Sequence, residues 1–202
     1  MIAIYFKKTL LVFIFIWASV IYYGQNKYFE LGSRSTFSFF DEGSLNNRGI
    51  GIGGQFRVPI NKRINTEWYA DFIKTNLNNK VFNNTAHIGW SVLYYPWQSL
   101  QVKPYVLAGH CFDYANYYTL INETPPEDRW SSAVQAGFGS HFNLTPRFDI
   151  SLSAQYMVHL GKHIHIIEDE HDHIHFDTSK KEVDLQGHIL FTGSINYKIF
   201  KL

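Results

Sequence analysis

"FDISLSAQYMVHLG", residues 148–161, keeps apolar and polar side chains strictly apart. Phe148, Ile150, Leu152, Ala154, Tyr156, Val158 and Leu160 fall on one side of an extended chain, and Asp149, Ser151, Ser153, Gln155, Met157 and His159 on the other. A period of two maintained over this length predicts a strand with a different environment on each face. "RGIGIGGQFRV" repeats the pattern, with Ile50, Ile52, Phe56 and Val58 against Gly51, Gly53, Gln55 and Arg57. In "INTEWYADF" Trp68 and Phe72 oppose Glu67 and Asp71.

The same pattern predicts strands near 27–40, 48–58, 64–74, 84–95, 101–112, 130–142, 148–160 and 182–199. Several exceed the ~5 to 6 residues usual in soluble sheets and match the ~9 to 11 of a tilted transmembrane strand. Three connections are short and contain proline: "PINKR", "PWQSL" and "NLTPR". Those they alternate with are longer and polar: "DEGSLNN", "TNLNNKVFNN", "DYANYYTLINETPPED" and the histidine-rich segment after Gly161. Short turns at one end and long loops at the other predict an all-β chain closed as an eight-stranded, antiparallel, up-and-down transmembrane β-barrel, with short periplasmic turns and long extracellular loops.

The two faces predict which side is inside. Gly51, Gly53, Gly89, Gly137 and Gly139 share the polar face with Arg34, Arg57, Glu67, Asp71 and Asp149. Small residues with charges that pair suit a narrow lumen, and Trp68, Trp90 and Tyr156 on the apolar face suit lipid. Phe37, Phe39 and Phe40 at one end, with Tyr94, Tyr95 and Trp97 at the other, are expected to form interfacial girdles. Eight strands leave an interior that side chains fill, which excludes a wide pore.

The chain opens "MIAIYFKKTLLVFIFIWASVIYYGQ", in which Lys7 and Lys8 precede an apolar run from Leu10 to Tyr23. This is the pattern of a secretory signal peptide over residues 1–25, leaving 26–202 as one barrel domain. An uncleaved anchor is the alternative. Loss of the two lysines takes the formal charge from +1 to −1. No basic block is present, which gives no footing for nucleic acid. Cys111 is the sole cysteine, so an internal disulfide is excluded.

With these strands in place, "KPYVLAGH" at 103–110 and "SAVQAGFGSHF" at 132–142 resemble the middle hairpins of the small outer-membrane barrels of Gram-negative bacteria, of the OmpA and OmpX type. The resemblance covers everything after residue 25. It implies an outer-membrane location, periplasmic N- and C-termini, surrounding lipid and the barrel-assembly machinery as partners, and no required cofactor. Functions within that family range from adhesion to lipid A modification, so fold alone does not select one. Members usually end on an aromatic residue, whereas here Phe200 stands two positions before the end.

"HLGKHIHIIEDEHDHIHFD", residues 159–177, holds six of the ten histidines. His159, His163, His165, His171, His173 and His175 are all odd-numbered, and Ile164, Ile166, Ile174 and Phe176 are even-numbered. The flanking strands are therefore expected to continue as a hairpin with its tip near "EDE". With an odd-numbered tip, His165 would face His173 and His163 would face His175, because directly opposed residues share a face. His163, His165, His171, His173 and His175 are thus candidate ligands for zinc, nickel or copper, with Glu168, Asp169, Glu170 and Asp172 concentrating cations nearby. The competing reading is a solvated loop tip without a ligand, or one that meets a surface partner. His87, His141 and His188 fall on the lumen face by parity, where a hydrogen-bonded structural role is expected; His110 is unassigned because its strand alternates poorly. A lipid A deacylase or acyltransferase is the enzymatic alternative. The His-x-Ser-Asn motif of the known deacylases is absent, and Ser140 and His141, being adjacent in a strand, point to opposite faces. The chain is accordingly expected not to be an enzyme.

Overall fold

The computed structural model of the chain describes residues 28–40, 48–77, 80–97, 101–120, 124–162, 164–168, 174–177 and 183–201. The signal-peptide expectation for residues 1–25 lies outside the described residues. Eight long strands form the wall: β1 (Tyr28–Phe40), β2 (Arg48–Asn61), β3 (Ile64–Leu77), β4 (Val81–Tyr94), β5 (Val102–Thr119), β6 (Glu127–Asn143), β7 (Phe148–Lys162) and β10 (Val183–Lys201). They close in the order β1-β10-β7-β6-β5-β4-β3-β2, every neighbouring pair antiparallel. Two short strands, β8 (His165–Glu168) and β9 (Ile174–Asp177), make a separate two-stranded sheet.

All eight wall strands stand where the period of two predicts them, but β3, β4, β5, β6 and β7 run further toward the long-loop end. "VFN" and "DYANYYT", expected in loops, extend β4 and β5. The reason is that the alternation continues there in a different alphabet: Asp113, Ala115 and Tyr117 are buried in the lumen, while Tyr114 and Tyr118 lie on the outer side. Strand β7 ends at Lys162, and β8–β9 is not a continuation of its ladder, contrary to the expected extended hairpin.

The barrel is inside out relative to a soluble protein. Ile52, Ile88 and Phe138 are 73%, 65% and 66% exposed on the outer face. Arg34, Arg57, Glu67, Asp71 and Asp149 are all buried in the lumen, as their parity predicts. With no water in a bilayer core, a closed ladder of strands is the way such a wall satisfies its backbone polar groups. Rings on five successive strands pack around the outside: Phe200 stacks on Phe29 at 5.2 Å, Phe29 on Phe56 at 5.9 Å and Phe56 on Trp68 at 6.1 Å, and Trp90 lies tilted against Trp68 at 6.3 Å. Of the expected girdle residues, Phe37, Phe39, Tyr94 and Trp97 are exposed. Tyr95 is not among them. It is 5% exposed and points into the lumen, because it follows Tyr94 in an extended chain and neighbours alternate. The side chain of Phe40 lies outside the described residues.

The short turns are held by side chains. The Arg63 amide donates to Asn61 Oδ1 at 2.7 Å, and the Phe148 amide to Thr145 Oγ1 at 2.9 Å. Glycines on the lumen face make room for rings from the next strand. A Cβ on Gly89 would stand 2.6 Å from Tyr69 Oη and 2.5 Å from Cys111 Cβ. Gly89→Val should therefore overpack the middle of the lumen and cost about 1–3 kcal/mol. Urea unfolding of the refolded barrel should show this loss; an unchanged midpoint would mean that Tyr69 swings aside freely.

Candidate functional site

The lumen is filled in successive bands. Near the short-turn end Leu93, Tyr95, Tyr105 and Leu107 form an apolar cluster. His141 stacks on Tyr105 with centroids 4.5 Å apart, and its Nε2 lies 2.9 Å from Tyr95 Oη. Next comes an ionic network. Arg57 reaches Glu67 at 3.0 Å and Asp149 at 3.8 Å, and it donates to Glu30, an acid that the parity argument does not include. Arg34 reaches Asp71 at 3.0 Å and Glu67 at 3.6 Å, and its guanidinium lies 4.3 Å over the Tyr69 ring. Asn196 donates to Asp149 at 2.9 Å and Gln55 donates to Asn196 at 2.7 Å, tying the network to β2 and β10. The predicted pairing is present, with two guanidiniums shared among four carboxylates, so acids outnumber cations by two.

Beyond an apolar band of Tyr69, Ile73, Cys111, Ala133, Met157 and Leu190 lies a group that the sequence divides among separate elements. His159 Nδ1 is 3.1 Å from Asp113 Oδ1, and His159 Nε2 is 3.0 Å from His188 Nδ1. His87 approaches from β4 with its ring centroid 6.2 Å from that of His159 and 6.1 Å from that of His188. Ser131 donates to Asp113 at 2.8 Å and Arg129 lies 3.4 Å from the same carboxylate. Asp113 falls in an expected loop; the parity of an extended β5 is the signal that places it inside.

The mouth at the long-loop end is covered by β8–β9. Ile164 and Ile174 are buried against Val81, Ala115 and Tyr117, with Phe176 packed alongside, and the Thr124 hydroxyl donates to the Ile174 carbonyl. The even-numbered face thus caps the barrel and the odd-numbered face, with exposed Ile167 and His175, turns away. The register differs from the expected histidine ladder: His165 pairs with Asp177, and His175 with Ile167. Parity is kept, since Glu168 pairs with Ile174, but the ladder is centred later in the chain than "EDE". Of the candidate ligands, His163, His171 and His173 lie outside the described residues, as do Asp169, Glu170 and Asp172. Among the described residues, no three histidine, cysteine or acid side chains are already gathered tightly enough to hold a metal.

The outer wall holds one polar pair that the sequence leaves unassigned. His110 faces outward, and its Nε2 lies 2.7 Å from Ser132 Oγ. Phe112 packs edge-on to the imidazole at 4.8 Å, and Trp90 and Val134 flank it in register. The alternation of β5 is obscure because Leu107, Cys111 and Ala115 put apolar residues in the lumen while His110 and Asn116 put polar ones outside. Ser140 and His141 diverge as predicted, with only His141 buried.

No protein-family model and no curated protein sequence matches the chain. Solved structures do. Neisserial surface protein A is similar at 14% identity and a TM-score of 0.56, over 87% of this chain and 99% of that one. A major outer membrane protein from Thermus thermophilus is similar at 9% identity and a TM-score of 0.57, over 85% and 99%. Ail, the attachment invasion locus protein of Yersinia pestis, is similar at 14% identity and a TM-score of 0.50, over 88% and 99%. The chain therefore has the fold of the small eight-stranded outer-membrane β-barrels, the OmpA/OmpX type.

The ionic network makes an asymmetric prediction. Removing Arg57 leaves buried carboxylates without their shared cation and should cost about 3–5 kcal/mol, whereas Glu67→Gln leaves Arg57 with Glu30 and should cost less. Equilibrium unfolding of Arg57→Met and Glu67→Gln should rank them in that order; equal losses would mean that the charges act independently.

Proposed function

We propose that the protein is a non-enzymatic integral protein of the outer membrane, with both termini periplasmic and the β8–β9 hairpin outside the cell. There the histidine- and acid-rich face takes up zinc, nickel or copper, or meets a surface partner. Surrounding lipid and the barrel-assembly machinery are its remaining partners, and no cofactor is required for folding. The observation that carries this reading is the division of the hairpin: Ile164 and Ile174 close the mouth while exposed His175 is on the opposite side. Histidine on such a face meets ions from solvent without disturbing the cap. A lumen filled from end to end argues against a channel.

Calorimetric titration of the refolded, untagged barrel with zinc, nickel and copper tests the loop. Replacing His163, His165, His171, His173 and His175 by alanine should remove binding at the surface, and wild-type affinity should fall as pH drops through ~6.5, because a ligand imidazole must be neutral. Equal binding by both proteins, or nothing tighter than ~10⁻⁴ M, would leave the loop as a solvated tip. An epitope inserted between Glu168 and Glu170 should stain on intact cells; staining only after permeabilisation would reverse the orientation.

The lipid A-modifying alternative is favoured by one observation, the His110–Ser132 pair facing the bilayer. A nucleophile and base within hydrogen-bond reach are two parts of a hydrolase, but an orienting acid is needed as well. Trp90, Phe112 and Val134 surround the imidazole instead. Two polar side chains on a lipid-facing wall satisfy one another simply by bonding. Mass spectrometry of lipid A from cells with and without the protein should show the same acyl pattern. A change that Ser132→Ala abolishes would establish the enzyme.

A further inference from the structure

We infer that the lumen holds a transition-metal site of its own, distinct from the surface hairpin, with His87, His159 and His188 as ligands. His159 and His188 are diagonal neighbours on the paired strands β7 and β10, and His87 meets them across the bore from β4, which pairs with neither. Each is almost wholly buried, at 2%, 3% and 1% exposure.

Four observations point to a metal. The first is the carboxylate behind His159. Asp113 accepts from His159 Nδ1 at 3.1 Å, and a carboxylate can only accept, so a proton sits on Nδ1 and in the neutral ring the Nε2 lone pair faces His188. This is the carboxylate–histidine arrangement that orients and strengthens metal-binding imidazoles. Ser131 and Arg129 hold Asp113 from its other oxygen, which fixes the support in turn.

The second is spacing. His159 Nε2 and His188 Nδ1 are 3.0 Å apart. Two nitrogens on one tetrahedral zinc, each at ~2.0 to 2.1 Å, stand about 3.3 Å from each other, so a metal can replace the shared proton with little movement. His188 then carries its proton on Nε2, and no net charge leaves the pair. Ring centroids in such a site are about 5 Å apart. His159 and His188 are at 4.8 Å, and His87 is at 6.2 and 6.1 Å from them. To complete the set His87 must move inward by at least ~1 Å, since among the described residues no three such side chains already surround one point.

Third, His87 Nδ1 is buried with no hydrogen-bond partner. A polar nitrogen desolvated without a partner costs free energy, and a metal would satisfy it. Fourth, the three histidines line a common cavity with Thr75, Thr85 and Arg129, with about 10 Å³ free, room for about one water molecule. That is the space a fourth ligand needs. Arg129 is offset by Asp113, and beside a divalent ion it favours water or hydroxide in that position over a second cation. The apolar cap of Ile164 and Ile174 lies on the long-loop side of this cavity and separates it from the hairpin's outer face.

The experiment uses the refolded, untagged barrel in which His163, His165, His171, His173 and His175 are alanine, so that surface binding is silent. After chelation, cobalt and zinc are titrated in, with heat-modifiable migration on gels reporting the fold. This barrel should bind one ion and give the intense visible absorption of tetrahedral cobalt, and zinc should bleach it. Adding His87→Gln should weaken binding at least 10-fold while the fold is kept. Absence of cobalt absorption in the five-alanine barrel overturns the inference, as does unchanged affinity in the His87→Gln protein. Should His87→Gln fail to fold, His188→Gln in the same background takes its place and must show the same loss. Failure of the surface reading looks different: the five-alanine barrel would then bind as much metal as the wild type.

Discussion

An amide or carbonyl that meets hydrocarbon has no water to pair with, and each one left open costs several kcal/mol. The bond row between β1 and β10, from Tyr28 opposite Lys201 to Phe40 opposite His188, is what removes the last open edge. Once the wall is closed, every strand residue faces either lipid or lumen and none is spared the choice. The packing of rings outside, the pairing of charges inside and the position of each histidine all follow from that alternation.

The interior answers a problem the wall creates. A bore this narrow cannot be solvated throughout, so its polar groups must satisfy one another. Two arginines serve four acids at one level, and Asp113 serves Ser131, His159 and Arg129 at another, with an apolar band between them. Ion pairs of this kind are poor sources of net stability compared with apolar packing. They do make a shifted register costly, because a slip by one residue would carry the charges out into lipid. The lumen charges therefore act mainly on specificity of pairing.

How much of this is legible in the sequence depends on contrast between faces. Strand β7 separates Phe148, Ile150 and Leu152 from Asp149, Ser151 and Ser153, and its orientation is plain from the residues alone. Strand β5 lacks that contrast, since Leu107 and Cys111 face the lumen and His110 faces out, so the pattern conceals both His110 and the upper half of the strand. The hairpin shows a further limit. Parity tells which residues of 164–177 share a face, yet the register of a two-stranded ribbon is set by its turn, and the expected opposition of His165 and His173 gives way to His165 and Asp177. Convergence across the bore is invisible for another reason. His87 and His188 are far apart in sequence and on strands that do not pair, and period-two reasoning says nothing about which inward residues meet on opposite walls.

Cys111 lies wholly buried in the lumen, with its sulfur 3.7 Å from that of Met157 and its Cβ beneath Gly89. A lone thiol in an oxidising compartment ordinarily invites mixed disulfides or coupling between chains. Here the thiol is reachable by an oxidant or a maleimide only while the strands are apart. The window of chemical risk is therefore confined to the interval between synthesis and closure, and completion of the barrel is what retires the sulfur from redox chemistry. A chain delayed in assembly would carry that history as a covalent mark, while a promptly closed one would keep its cysteine reduced without any reductase.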